Sequence, residues 1–146
     1  MVRECTGNDI EMITAYLQDE PYGRAILTAV KEYGFEKRFQ TVYVDVINEE
    51  DGTVKLNGVY LFLHRNVILY CKENHVDIDF LEQWMGISVP DKVAGRKDNV
   101  NIVSWLLTDY NMETTAARAD IADADGHLIE CLSGPQYEGE WAILTR

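Results

Sequence analysis

One stretch constrains this chain more than any other: Val54 to Lys72, VKLNGVYLFLHRNVILYCK. It reads as two apolar strands, Val54–His64 and Val67–Lys72, joined by a tight turn at Arg65-Asn66. Side chains alternate across an extended chain. Val59, Leu61 and Leu63 therefore face one side, and Tyr60 and Phe62 the other. A strand with one wet face alternates apolar with polar residues, whereas this run is apolar on both. It predicts the middle of a sheet covered on both sides.

The flanking segments read as that cover. Val2–Cys5 is a strand, after which Thr6 and Asp9 stand at the spacing of a helix N-cap and its reciprocal partner. Ile10, Ile13 and Leu17 then share a helical face, with Met12 and Tyr16 beside it. Pro21 restarts a second helix with the stripe Tyr22, Ile26, Val30 and Tyr33, and Gly34 suits its end. Thr41–Asn48 is a strand carrying Val42, Val44 and Val46 on one side, and Glu50-Asp51-Gly52 turns it into the central pair. Further on, Asp77 caps a helix over Ile78, Leu81, Trp84 and Met85 that stops at Gly86. Lys92–Ala94 is a short strand. Asp98 caps a last helix over Val100, Val103 and Leu107, with Ile102 and Leu106 adjoining. Met112–Ala122 and His127–Leu132 are strands around a turn at Asp123-Ala124-Asp125-Gly126; beyond them, Trp141–Thr145 could close the sheet. The order β-α-α-β-β-β-α-β-α-β-β predicts an α/β fold with a mixed, largely antiparallel central sheet and helices on both faces. Residues 1–132 form the domain, and 133–146 a C-terminal loop and closing strand.

Charge excludes whole classes of partner. Thirteen basic against 25 acidic residues leave a formal charge of −12. Nucleic acid calls for a basic stripe and an anionic membrane for Lys/Arg clusters, so neither partner is expected. No apolar run approaches the length of a membrane span and the first residues lack an apolar leader, which makes the cytoplasm the expected location. Cys5, Cys71 and Cys131 are widely spaced in strand-like segments and read as buried, reduced thiols.

Several local patterns resemble a known family. Arg3-Glu4-Cys5-Thr6 opens the first helix, and Tyr33-Gly34-Phe35 ends the second. Gly58-Val59-Tyr60-Leu61 follows, then Val67-Ile68-Leu69-Tyr70-Cys71-Lys72-Glu73-Asn74 and Asp77-Ile78-Asp79-Phe80-Leu81. With the order of elements, they resemble the GNAT acetyltransferase fold, and more narrowly the N-terminal half of two-domain GNAT proteins of Gram-positive type. The likeness covers roughly residues 1–113.

That resemblance implies the backbone of Leu69, Tyr70 and Cys71 as the edge that would hold the pantetheine of acetyl-CoA. It also implies a glycine-rich turn leading into a helix whose amides bind the pyrophosphate. Here Lys72–Asp79 holds no glycine and carries Glu73, Asp77 and Asp79, carboxylates that themselves suit the helix dipole. The pyrophosphate cradle is degenerate. A tyrosine late in the following helix protonates the leaving thiolate in such enzymes; its place falls on Leu107 or Thr108, with Tyr110 as the nearest candidate. Tyr110 reads otherwise as a half-buried ring ending that helix, and Tyr70 as core.

Other chemistry fails on spacing. With Gly126 as the sixth residue of a calcium loop, Ile121 and Leu132 stand where carboxylates are required. The Glu49–Gly52 turn fails the same way. His64, His75 and His127 are scattered, without a metal-ligand pattern, and no G-x-S-x-G surrounds Ser104 or Ser133. Trp84, Trp105 and Trp141 read as core.

Three functions stay open. The first is a non-catalytic GNAT-like domain that pairs with a second GNAT-like domain or forms a homodimer. The second is an active N-acetyltransferase using acetyl-CoA on a small, cationic amine. The third is a binding module on the same scaffold.

Overall fold

The Val54–Lys72 stretch forms two neighbouring strands, β3 (Val54–Leu63) and β4 (Asn66–Tyr70), with all of β4 and the second half of β3 buried. The computed structural model describes residues 1–20, 23–115, 119–122, 128–131 and 141–146. The turn between the strands falls on His64-Arg65, one residue earlier than the sequence suggests. His64 adopts a left-handed φ of 55° and donates its amide to the Phe39 carbonyl at 2.7 Å. Asn66 is thereby freed to begin β4, opposite Leu63 and Lys92.

The remaining elements are β1 (Val2–Glu4), α1 (Ile10–Leu17), α2 (Arg24–Tyr33), β2 (Gln40–Asn48), α3 (Ile78–Ile87), β5 (Lys92–Arg96) and α4 (Lys97–Ser104). They are followed by β6 (Asn111–Thr115), β7 (Ala119–Ala122), β8 (Leu128–Cys131) and β9 (Trp141–Thr145). The strands form a seven-stranded sheet in the order β1-β2-β3-β4-β5-β9-β6, plus a separate β7-β8 pair. Among the described residues β4 and β5 pair in parallel and every other ladder is antiparallel. The protein is α/β with a mostly antiparallel sheet. The last strand, β9, lies between β5 and β6, so residues 141–145 are an interior strand of the main sheet.

The alternation in β3 sorts the core into two layers. Val59, Leu61 and Leu63 pack with Ile13, Leu17, Ile26 and Val30 of α1 and α2. Tyr60 and Phe62 pack with Leu81 and Met85 of α3 and with Val100 and Val103 of α4. Helices therefore cover both faces. At the N-terminal end the Thr6–Asp9 capping box forms over a single 3-10 turn, Gly7–Asp9, that leads into α1. Arg3 reinforces it, its guanidinium reaching both Asp9 oxygens at 2.8 and 2.9 Å. Gly34 ends α2 at φ 72°, where a side chain would be strained.

Other boundaries differ for identifiable reasons. Asp77 caps α3, but the helix continues one residue past Gly86, to Ile87. In α4 Arg96 holds the N-cap position and Asp98 sits in the first turn, because its carboxylate is drawn back onto Arg96. That helix stops at Ser104, so Leu107 lies beyond it. Trp141 is core at 2% exposure and Trp84 is partly buried, whereas Trp105, just past α4, is 64% exposed. The segment expected as one strand over Met112–Ala122 contributes β6 and β7, in different sheets. Pro21 and Tyr22, the Asp123–Gly126 turn and the Ser133–Gly139 loop lie outside the described residues.

Candidate functional site

A parallel strand pair points two strand ends, and the starts of the two helices that follow, in the same direction. Here those are the ends of β4 and β5 and the starts of α3 and α4, where ligands of open α/β sheets usually sit. Leu69, Tyr70 and Cys71, the edge that the resemblance implies, lie at this end of β4.

The two strands approach closely. A Cβ added to Gly95 would stand 2.6 Å from the Leu69 carbonyl oxygen and 3.5 Å from Val100, so only glycine fits at this point of β5. Leu69 pairs with Tyr60 on one side and Gly95 on the other, which commits its backbone to the sheet. Beyond it the ladder ends, and side chains take over. The Cys71 amide donates to Asn99 Oδ1 at 2.9 Å. Its carbonyl accepts from Asn99 Nδ2 at 3.1 Å, Arg96 at 3.0 Å and the Asn74 amide at 3.0 Å. The Lys72 amide donates to the Tyr16 hydroxyl at 2.9 Å, and its carbonyl accepts from Arg96 at 2.8 Å. Every backbone polar group of Cys71 and Lys72 has a partner within the chain.

Arg96 is itself fixed by two hydrogen bonds to Asp98, at 2.6 and 2.9 Å, and its guanidinium carbon lies 5.4 Å from the centre of the Tyr70 ring. Asn99 is wholly buried and also donates to Asn74 Oδ1 at 2.7 Å. Asn74 holds a left-handed φ of 60°, which turns the chain from β4 towards α3. At the start of α3 the Asp77 side chain accepts from the Phe80 amide at 2.9 Å, and Asp79 adds a second carboxylate in the first turn. These acids occupy the place where an anion would meet the helix dipole.

The thiol and phenol groups here hold their protons. Burial pushes the Cys71 thiol up to about 12, so it is neither thiolate nor nucleophile at neutral pH. Burial raises Tyr16 to about 12, against the opposing effect of the Lys72 amide on its oxygen. Tyr70 is wholly buried, its hydroxyl making no hydrogen bond, and burial followed by the Glu20 carboxylate raises its pKa. Tyr60, raised by burial, accepts from the Asp77 amide at 2.9 Å and lies 3.6 Å from Cys71 Sγ.

Tyr110 is elsewhere. It lies past α4, partly buried, and its hydroxyl donates to the Pro90 carbonyl, ahead of the first residue of β5. The Cys71 edge adjoins the other end of that strand. The structure thus brings Leu69, Tyr70 and Cys71 together and leaves Tyr110 apart from them. Three residues at the site were not singled out for it from the sequence: Asn99, Arg96 and Tyr16. Asn99 does carry a signal, a polar residue four positions before Val103 on the apolar stripe of its helix. Among the described residues no three His, Cys, Asp or Glu side chains converge as a metal site, and no helix is long and apolar enough to cross a membrane.

No protein-family model matches the chain, and no curated protein matches it significantly.

Acetyl-CoA can be tested against this geometry. An extended pantetheine arm needs unpaired strand amides and carbonyls, and a pyrophosphate needs open helix-start amides. Each amide and carbonyl of Cys71 and Lys72 already has a partner within the chain, and Asp77 and Asp79 set negative charge at the helix start. The residues present do not fit the cofactor.

Proposed function

We propose that this chain is a GNAT-related domain that acts by pairing with a second GNAT-like domain or a second copy of itself, and does not carry acetyl-CoA. Three lines support the relationship. Through α4 the elements follow the order that suggested the family, the β4-β5 junction is parallel, and α3 and α4 both start from the same end of it. The observation that carries the non-catalytic reading is the self-satisfied backbone of Cys71 and Lys72. In this reading the cleft that would receive a cofactor is part of the folded core.

Support for a partner comes from the opposite end of the sheet. Ile87 and Val89 lead into β5, Trp105 follows α4, and Met112 lies early in β6. The cross-strand register aligns Lys92, Thr145 and Asn111, which brings these residues to one end. Ile87 is 87% and Trp105 64% exposed, and β6 has no outer strand neighbour among the described residues. Large apolar side chains beside an open strand edge suit burial against another domain.

Calorimetric titration with acetyl-CoA tests the reading. The expected result is no heat and no shift in the melting midpoint at millimolar ligand. Binding in the micromolar range, which at a hundredfold excess over Kd stabilises a fold by ~2.7 kcal/mol, would overturn it. The protein would then be an N-acetyltransferase, and its acidity would favour a cationic amine as acceptor.

A further inference from the structure

Asparagine near a helix start usually caps its own backbone. Asn99 instead turns its carboxamide onto a strand 28 residues away, wholly buried. Its Oδ1 accepts from the Cys71 amide at 2.9 Å while Nδ2 donates to the Cys71 carbonyl at 3.1 Å. One planar amide thus exchanges both hydrogen bonds with a single residue, as two residues do across an antiparallel ladder. The second Nδ2 hydrogen goes to Asn74 Oδ1 at 2.7 Å. With two acceptors around Nδ2 and one donor before Oδ1, only this orientation of the carboxamide is satisfied.

We propose that the end of β4 is an amide-binding edge whose occupant is built in: the Asn99 carboxamide replaces the amide of an extended ligand. The inference rests on reading β4 as the ligand strand of a GNAT-like fold. The recognised group is a single amide offering one donor and one acceptor in a plane, with no phosphate or thioester required. The surroundings match that group. Gly95 lets β5 approach β4, Arg96 closes the outer side of the Cys71 carbonyl, and Asn74 supplies the remaining acceptor.

Removing the carboxamide should leave a polar void of the same shape. In Asn99→Ala, two buried backbone groups of Cys71 lose a partner. The melting midpoint should fall by about 5 °C or more. Acetamide then acts as the probe and acetate as its control, being similar in shape but lacking N–H donors. In the variant, acetamide should shift the Cys71 amide resonance saturably and recover part of the lost melting temperature. Acetate should do neither, and the wild-type resonance should respond to neither. A variant that melts with the wild type, or a Cys71 amide indifferent to acetamide, would overturn the proposal. Should the variant fail to fold, hydrogen exchange in the wild-type protein decides. Protection of the Cys71 amide equal to that of the β4 ladder supports the inference, and exchange a hundredfold faster overturns it. The two readings fail separately: acetyl-CoA binding to the wild type overturns the functional reading, whereas the acetamide result bears on this edge alone.

Discussion

Gly95→Ala isolates the close approach of β4 and β5. The added methyl carbon would stand 2.6 Å from the Leu69 carbonyl oxygen, with Leu69 Cδ2 and Val100 Cγ2 at 3.5 Å on its other sides. Carbon–oxygen contacts in sheets run near 3.3 Å, so the overlap is about 0.7 Å. The oxygen belongs to backbone inside a ladder, and cannot swing away as a side-chain tip can. Gly95 is held from both sides, opposite Leu69 and Ala142, so β5 cannot retreat from β4 without pressing on β9. Overpacking of this kind costs about 1–3 kcal/mol. Replacing glycine in a strand returns about 0.5 kcal/mol of backbone entropy. A net loss of about 2 kcal/mol follows, which for a domain of this size lowers the melting midpoint by roughly 6 °C. Urea denaturation should show a lower midpoint with an unchanged slope. Gly7→Ala is the matched control: nothing lies within 4 Å of its added carbon, and its stability should stay within about 0.5 kcal/mol of wild type. Equal stabilities for Gly95→Ala and the wild type would refute the packing argument, and with it the claim that the strand ends are closed.

Asp9→Ala removes the reciprocal half of a capping box and the carboxylate under Arg3, and should cost about 1–2 kcal/mol at pH 7. The Arg3 hydrogen bonds hold the Asp9 carboxyl below its ordinary value in the fold. Its stabilisation is therefore complete above the unfolded pKa of about 3.9 and fades as pH falls through the lower folded value. The gap between wild type and variant in urea melts should narrow only in that acid window, and a gap that narrows near neutrality would contradict the assignment. Trp105→Ser should leave stability within about 0.5 kcal/mol, because the ring is 64% exposed, yet weaken any association seen by sedimentation equilibrium. A large loss of stability would mean that Trp105 packs within its own chain.

The parts of the fold legible in the sequence were those fixed by near neighbours. Residues 59–63 declare two buried faces by alternation, Thr6 and Asp9 declare a cap by spacing, and Gly34 ends α2 where a positive φ is required. The boundaries differ where a polar group found another partner than the one its position suggests. Asp98 looks like an N-cap, yet Arg96 claims its carboxylate and keeps the cap position for itself. Cys71 continues an apolar strand pattern, yet β4 ends at Tyr70 because the Cys71 amide is taken by Asn99. The absence of glycine from Lys72–Asp79 was readable at once. What takes up the Cys71 backbone just before it was not, because Asn99 acts across 28 residues and its partner is a backbone that leaves no mark on composition.

The energetics of that replacement decide what the strand end can bind. To lie along Cys71 and Lys72, a ligand must displace both Asn99 hydrogen bonds, the two from Arg96 and the one to Tyr16. Each intramolecular bond is worth only about 1 kcal/mol net, and a ligand forming the same five regains about the same sum. The exchange is therefore near zero before the ligand gives up its own freedom, which costs several kcal/mol at the least. The displaced groups fare worse than before, since a buried carboxamide without partners carries its own desolvation penalty. A cleft of this construction favours its internal occupant for any ligand that gains nothing elsewhere. For an anionic ligand the usual gain would come from the start of α3, and Asp77 and Asp79 remove it. The same bonds join the end of β4 to the first turn of α4.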